Sequence, residues 1–173
     1  MELNYPKNHR KIVSELLAGK FILQKNEELF DPIVQSFRDF YTRFFDKSFG
    51  YELKITTKYI YLVANESNEK LSRNITLFLA ILCYELDREG KNFNLEIKTN
   101  YFETEEVKQK ILASEYINIV SNIEDIVNLY PLIKQMTDRN IVERKNDNKF
   151  VFTDAVEIFY EFAADYLNQN KDE

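Results

Sequence analysis

The fold is decided by residues 122–153, which have the sequence NIEDIVNLYPLIKQMTDRNIVERKNDNKFVFT. Apolar side chains recur at helical spacing between Ile126 and Met136, so one face of this segment is apolar. Pro131 has no amide proton, and its ring clashes with the preceding turn, so the helix must kink or restart there. A restart places a second helix over residues 131–139, directly after the first.

A hairpin is expected after these two helices. Residues 141–144 and 150–152 are rich in strand-forming side chains, and the Asn-Asp-Asn at 146–148 tolerates the positive φ of a tight turn. At the start of the first helix, Ser121 and Glu124 have the spacing of a capping box. Two helices followed by a hairpin form the second half of a winged-helix domain, a fold that mainly binds DNA or proteins.

The beginning of the chain has a similar organisation. Apolar side chains form a helical face over residues 12–17, and Gly19 stands where a helix ends in a left-handed residue. Residues 21–23 are apolar and predict a short strand. Asp31 followed by Pro32 predicts the start of a further helix, with the aspartate as its N-cap. The order is therefore helix, strand and helix.

An aromatic helical stripe and a hairpin complete this first pattern. Apolar side chains keep helical spacing over residues 33–46, and Gly50 then breaks the helix. Residues 51–55 and 59–64 predict the two strands of a hairpin. Together with the elements before them, they predict an N-terminal winged-helix domain over residues 1–66, which is also the candidate for dimerisation.

The rest of the chain predicts a C-terminal winged-helix domain over residues 71–173. The polar run at 65–70 has the composition of a linker, and a helix over 71–89 is the expected central connector. Between residues 75 and 84 the only polar side chain is a threonine, so this helix should be buried on every side. Its expected place is between the two halves of the molecule, or against a second copy.

Three further elements are expected in this second half. Alternating apolar side chains at 93–97 predict a short strand, and the spacing within 107–112 predicts a helix. A final helix is expected to begin at about Asp154, with that residue as its N-cap. The predicted fold class is mostly α with short β-hairpins (α+β), arranged as two tandem winged-helix domains.

The sequence offers little catalytic chemistry. His9 is the only histidine, so a catalytic triad would have to use a residue near the N-terminus. One histidine and one cysteine, Cys83, cannot make a common zinc site. Three glycines are too few for a phosphate-binding loop. Glu103, Glu105 and Glu106 fit the solvated N-terminus of a helix, where the helix dipole favours carboxylates. We predict no enzymatic activity, no catalytic or metal-binding residues and no cofactor.

The expected compartment is the cytoplasm. A single cysteine cannot form an intrachain disulfide and suits a reducing environment. The N-terminal sequence MELNYPKNHRK has no apolar core of a secretory signal. The longest apolar run, residues 77–84, is far shorter than the roughly 20 residues that cross a bilayer. No membrane association is predicted.

The distribution of charge limits DNA binding. The net charge of −6 opposes binding to a polyanion unless positive charge is concentrated in one place. Residues 134–149 hold five cations against three carboxylates, whereas residues 154–173 hold six carboxylates against one lysine. The basic segment could contact phosphates weakly, although the same cations also fit an ordinary solvated surface. The DNA-contact candidates are Lys134, Arg139, Arg144, Lys145 and Lys149.

The abundance of aromatic side chains admits two interpretations. Fourteen Phe and eleven Tyr could fill a dense core, or some of them could form a subunit interface, where aromatic residues are enriched. The candidates for a dimer or partner interface are Phe40, Tyr41, Phe44, Phe45, Tyr59 and Tyr61.

Three segments resemble a known family. ELLAGKFILQKNEELF at 15–30, FFDKSFGYELKITTKYIYLV at 44–63 and MTDRNIVERKNDNKFVFT at 136–153 are similar to the MksE/MukE proteins, the kite accessory subunits of MukBEF-type bacterial condensins. The resemblance implies tandem winged-helix domains, a homodimer and no catalytic residues. It also implies binding to a kleisin subunit (MksF or MukF) and, through it, to an SMC ATPase (MksB or MukB).

The same resemblance indicates a biological setting. It implies a nucleoid-associated protein that contacts DNA mainly within the assembled complex, in chromosome segregation and DNA condensation or in plasmid defence with a nuclease. The alternatives are a winged-helix transcriptional regulator that binds DNA directly, and a phage or plasmid partitioning factor.

Overall fold

A computed structural model describes residues 5–64 and 69–161 of the chain. The chain divides into two compact units, Met1–Ser67 and Asn68–Glu173. The described residues of each unit form helices and one small antiparallel sheet, which confirms the predicted α+β class. Most of the predicted linker, at 65–68, lies outside the described residues.

The first unit has three α-helices and a three-stranded antiparallel sheet. The order of its elements is α1 (His9–Leu17), β1 (Ile22–Leu23), α2 (Glu27–Asp31), a π-helical segment (Pro32–Ser36), α3 (Arg38–Phe49), β2 (Glu52–Ile55) and β3 (Tyr59–Val63). The strand order in the sheet is β1-β3-β2. The predicted first helix, first strand and hairpin are therefore present.

Glycines end two helices of this unit, as the sequence predicts. Gly19 follows α1 with φ of 72°, and Gly50 follows α3 with φ of 67°, both in the left-handed region that favours glycine. The amide of Gly50 donates to the carbonyl of Asp46 at 2.9 Å, which closes the last turn of α3. This ending turns the chain directly into the hairpin.

The predicted helix start at Asp31 and Pro32 is wrong. A helix already begins at Glu27, because burial of Leu29 and Phe30 favours a helical turn upstream of the proline. Asp31 has helical backbone angles and makes no side-chain capping bond. Pro32 is tolerated because it opens the π-helical segment, where its missing amide proton removes little.

The second unit is richer in helix. The order of its elements is α4 (Glu69–Arg88), α5 (Phe93–Thr99), β4 (Phe102–Glu103), α6 (Thr104–Ala113), α7 (Ile117–Val120), α8 (Glu124–Asn128), α9 (Tyr130–Asp138), β5 (Val142–Arg144), β6 (Lys149–Phe152) and a 3-10 turn (Asp154–Val156). The sheet has the order β4-β6-β5 and is antiparallel.

The helix restart predicted near Pro131 is confirmed, and one strained residue causes it. The amide of Leu129 donates to Asp125 at 3.1 Å and ends α8, while its carbonyl accepts from the amide of Ile133 at 2.9 Å and starts α9. Serving both helices forces Leu129 to φ 57° and ψ −39°, a conformation that costs a leucine backbone strain. Its side chain is fully buried.

Several local predictions in this unit are wrong because side-chain bonds compete. The capping box fails because Ser121 donates to the Asn118 carbonyl and Ile123 occupies the N-cap of α8. The final helix is capped by Thr153, whose hydroxyl accepts from the Ala155 amide, and not by Asp154. Beyond residue 161 that helix lies outside the described residues.

The hairpin turn between β5 and β6 is closed by a side chain. The Asn146 amide oxygen accepts from the amides of Asn148 and Lys149 at 2.9 and 2.8 Å. The positive φ expected in this turn is absent from it; among described non-glycine residues, positive φ occurs at Leu129 and Asn140. The strands pair in register, with Val142 opposite Phe152.

The strand predicted at 93–97 is a helix. Asn92 accepts from the Leu95 amide at 3.0 Å and caps the start of α5. Phe93 and Ile97, four residues apart, are buried, whereas Leu95 between them is 60% exposed. The alternation of apolar residues at 93, 95 and 97 therefore does not mark a strand. Only the first and last of the three point inward, and their spacing of four residues is that of a helix.

The central helix α4 is not buried all round. Its inner face is fully enclosed, but residues 76, 77, 80, 83 and 84 remain partly exposed. On the inner face, the side chain of Asn74 is only 1% exposed, and neither polar atom of its amide has a hydrogen-bond partner among the described residues. The helix therefore combines a half-open apolar face with an unsatisfied buried amide.

Candidate functional site

The cations of the second hairpin are neutralised locally. Each lies beside a carboxylate; the pairs and their N···O distances are Arg144–Asp147 (3.9 Å), Lys145–Glu143 (3.6 Å) and Lys149–Glu103 (2.9 Å). The hydrogen bond from Lys149 to Glu103 raises the pKa of the lysine. Three cations against three carboxylates give this hairpin little attraction for phosphate.

The two remaining DNA-contact candidates belong to α9: Lys134 lies in the middle of the helix, and Arg139 directly follows its last residue. Lys134 is exposed and Arg139 is half-buried. Within the described residues neither forms an ion pair. The structure thus separates the five predicted DNA-contact residues into a paired group on the hairpin and an unpaired group at α9.

The first unit carries a stronger positive surface that local counting missed. Its described residues, 5–64, hold ten cations against seven carboxylates, whereas residues 69–161 hold twelve against seventeen. Five exposed cations of the first unit form no ion pair in the described part of the chain: Lys7, Arg10, Lys11, Arg38 and Arg43. Counting charge by domain would have revealed this asymmetry.

Three of these cations cluster at the start of α1. Lys7 lies in the turn before the helix, and Arg10 and Lys11 follow in its first turn. Residues three and four positions apart share one side of a helix. His9, which interrupts this group, is directed instead to α3, where its ring nitrogen lies 3.1 Å from the Tyr41 hydroxyl. The cations therefore face away from the core contact of α1.

The six aromatic interface candidates divide between core and surface. Tyr41 and Phe45 are fully buried and Tyr59 is 7% exposed, so these three belong to the core of the first unit. Phe40, Phe44 and Tyr61 are partly exposed. Burial within the chain leaves only the second group with surface that a partner could cover.

An outward aromatic strip extends from this second group. It consists of Tyr5, Phe40, Phe44 and Phe49, whose successive ring centroids are 5.6, 5.9 and 5.8 Å apart. Tyr5 is 50% and Phe49 is 42% exposed, and the sequence analysis missed both. Phe40 and Phe44 are four residues apart, as are the buried residues at 41 and 45. This spacing places each pair on its own face of α3 and is the signal that could have distinguished them.

The partly buried His9 contacts the fully buried Tyr41 next to the strip. Burial lowers the pKa of His9 and raises the pKa of Tyr41 to about 12. His9 also contacts the rings of Tyr5, Phe40 and Phe44. The only histidine of the sequence is therefore a packing residue that connects the start of α1 to α3.

The described residues hold no arrangement suited to metal binding. Within residues 5–64 and 69–161, no three His, Cys, Asp or Glu side chains are placed to hold an ion. Burial raises the pKa of the Cys83 thiol, which disfavours the reactive thiolate. No described helix has the length and hydropathy needed to cross a bilayer.

The chain matches a known protein family. The family described as "Condensin complex protein MksE" matches residues 7–164, from the turn before α1 to beyond the last described residue. A comparison with curated proteins found no match. The family match covers most of the 173 residues and agrees with the resemblance carried by the three sequence segments.

Proposed function

The chain belongs to the condensin complex protein MksE family, and from this premise we propose that it is a non-enzymatic accessory subunit of an SMC complex. The observation that carries the proposal is the family match over residues 7–164. The proposed setting is the cytoplasm, at the nucleoid, in chromosome organisation and segregation or in plasmid defence.

We propose that each unit is a winged-helix domain, over residues 1–66 and 71–173. The order of elements supports this: each unit has a helix, a short strand, further helices and then a hairpin that pairs with the first strand. In each sheet the last strand lies in the centre, between the early strand and the hairpin partner. A winged-helix architecture in both units gives a subunit built for binding.

The subunit is proposed to form a homodimer through its first unit. The aromatic strip supports this, because aromatic side chains that stay partly or fully exposed are enriched at protein interfaces. Phe40→Ser with Phe44→Ser should convert a dimer to a monomer in light scattering. Leu95→Ser, an exposed position of the second unit, is the control. A wild-type chain that is monomeric at micromolar concentration would end this part of the proposal.

Direct DNA contact is proposed to be weak and to occur within the assembled complex. The unpaired cations of α1 and α9 support contact with phosphates, and the net charge of −6 opposes tight binding by the isolated chain. In the complex, Arg10→Glu with Lys11→Glu should lower DNA affinity at low salt more than Arg144→Glu with Lys145→Glu. Equal affinity of both variants and wild type at every salt concentration would remove this role.

The principal partner is proposed to be the kleisin subunit, which connects the chain to the SMC ATPase. Co-purification of tagged chain with the kleisin encoded in the same genome should yield a complex that survives moderate salt, because buried apolar surface is poorly screened. An unrelated winged-helix protein with the same tag is the control. Recovery of the kleisin with the control alone, or with neither, would contradict the proposal.

A further inference from the structure

The outward side of α4 is a regular stripe. Spacings of four and three residues alternate along it, through Arg73, Leu77, Ala80, Tyr84 and Asp87. The opposite side of the helix packs on α5, α6 and α8. Alternating spacings of four and three are those by which one helix packs lengthwise against another. We call this stripe the open face of α4.

The open face has an apolar centre and one charge at each end. Leu77, Ala80 and Tyr84 are partly exposed, as is Cys83 beside them. Arg73 at one end and Asp87 at the other are exposed, and neither forms an ion pair in the described part of the chain. An apolar stripe that stays in water gains free energy when another surface covers it.

The order of these residues is complementary to itself. Arg73 and Asp87 each lie seven residues from Ala80, which is about 10.5 Å along the helix axis. In an antiparallel pair with a two-fold axis at Ala80, Arg73 of each chain meets Asp87 of the other. A parallel pair would place like charges together. The charges therefore favour the antiparallel arrangement.

The apolar centre suits the same arrangement. Ala80 meets its own copy, and because its side chain is a single methyl group the two helices can approach closely. Leu77 then packs against Cys83 and Tyr84 of the second copy. Burial is the main cause that raises the pKa of Cys83, and the Asp87 carboxylate also contributes, which places this charge beside the apolar centre.

Tyr84 is held in place at one end of the apolar centre. Its hydroxyl donates to the Glu115 carboxylate, and its ring lies edge-on to the ring of Tyr116, with centroids 4.7 Å apart. The guanidinium of Arg88 lies 5.8 Å from the Tyr84 ring centroid. An aromatic side chain that is already ordered loses little conformational entropy when a partner covers it.

We propose that α4 forms an antiparallel two-fold contact with α4 of a second copy of this chain, centred on Ala80 and closed at both ends by Arg73–Asp87 ion pairs. This contact is separate from the homodimer proposed for the first unit and does not depend on it. One helix face is smaller than a standard interface, so the contact forms at higher concentration than a permanent dimer does. Two different two-fold contacts on one chain join dimers into larger assemblies.

Oxidation of engineered cysteines tests the position of the two-fold axis. Ala80→Cys in the Cys83→Ser chain places both thiols at the axis, within the range of a disulfide, so oxidation should give a covalent dimer. The matched control is Leu77→Cys in the Cys83→Ser chain. Its two thiols would lie about 9 Å apart along the helix axis, which is too far for a disulfide. Equal cross-linking of the two variants, or none from Ala80→Cys, would overturn the proposal.

Exchange of the end charges tests the orientation. The parent chain is the Phe40→Ser, Phe44→Ser variant, so that the aromatic strip does not contribute to the mass measured by sedimentation equilibrium under reducing conditions. Arg73→Asp or Asp87→Arg alone should weaken association roughly fivefold or more, since each replaces two ion pairs by like charges. Both substitutions together should restore association to within about twofold. Single variants that associate like the parent chain, or a double variant that does not recover, would refute the antiparallel contact.

The outcomes also separate this contact from the proposed function. A parent chain that stays monomeric up to submillimolar concentration, with no disulfide from Ala80→Cys, overturns the α4 contact and leaves the accessory role standing. If the charge variants instead lose kleisin binding while the parent chain does not self-associate, the open face belongs to the kleisin and the proposal is wrong. Circular dichroism spectra that match the parent chain confirm that weaker association is not caused by unfolding.

Discussion

The strained backbone at Leu129 makes a prediction whose sign is diagnostic. At an ordinary buried helical position, glycine is less stable than alanine by about 1 kcal/mol. At Leu129, with φ of 57°, alanine keeps the backbone strain of roughly 1–3 kcal/mol, whereas glycine releases it. Glycine should therefore equal or exceed alanine at this position.

The magnitude follows from comparing two buried leucines. Leu129 and Leu132 both have fully buried side chains, so truncation to alanine should cost each about 2–5 kcal/mol. Leu132 lies inside α9 and provides the matched control. At Leu132 glycine should be worse than alanine by about 1 kcal/mol. At Leu129, glycine also makes the unfolded chain more flexible than alanine does, which lowers stability by roughly 0.4–1 kcal/mol, but the release of backbone strain offsets this loss. The difference in stability between the glycine and alanine variants at Leu129 should therefore exceed the same difference at Leu132 by about 1–3 kcal/mol in favour of glycine.

Urea unfolding followed by circular dichroism measures these four variants. Because the chain has two units, the transition that involves the second unit must be identified first, and its denaturant slope must stay constant among variants. If Leu129→Gly is less stable than Leu129→Ala by the same amount as at Leu132, the backbone at Leu129 is not strained and the account of the α8–α9 junction is wrong.

Two further predictions concern polar groups that are buried or partly buried. Asn74→Leu should raise the free energy of unfolding by about 1–3 kcal/mol, since it removes a buried amide that has no hydrogen-bond partner in the described part of the chain; a loss of stability would show that the amide is satisfied in solution. Burial lowers the pKa of His9, so the stability that its neutral form provides is present above about pH 6.5 and is lost as the pH falls through the lowered value. His9→Gln should therefore flatten the decline in stability between about pH 7 and pH 5, and identical profiles would refute this assignment.

The elements that could be predicted from sequence are those fixed by local backbone chemistry. Gly19 and Gly50 end helices because their positive φ suits glycine, and both were predicted. The restart near Pro131 was predicted from the missing amide proton. The positive φ of Leu129, which produces this restart, could not be predicted from the sequence. Leucine adopts such a conformation only when the burial of its side chain compensates for the backbone strain.

The wrong predictions share a physical cause, which is that local patterns have several structural solutions. Asp31 with Pro32 has the composition of a helix start, but the helix had already begun where buried side chains upstream required it. Alternation at 93–97 fits a strand as well as a short helix with one exposed apolar side chain. Tertiary packing decides between such alternatives.

The candidate surfaces could be predicted only in part. The sequence identifies basic and aromatic residues, but it does not reveal that Lys149 pairs with Glu103, a residue distant in the chain. The groove between α4, α5, β4 and α6 was not foreseen because its lining comes from four separate elements between residues 82 and 110. The separation of Phe40 and Phe44 from their buried neighbours likewise required the packing of α1 against α3.

The central claim is that the chain is the kleisin-binding subunit of an SMC complex. Isothermal titration of the purified chain with the purified kleisin subunit tests this claim most directly, since it requires neither DNA nor the ATPase. The account predicts saturable binding that persists at moderate salt. The absence of heat and of a complex at micromolar concentrations, with both proteins folded, would contradict it.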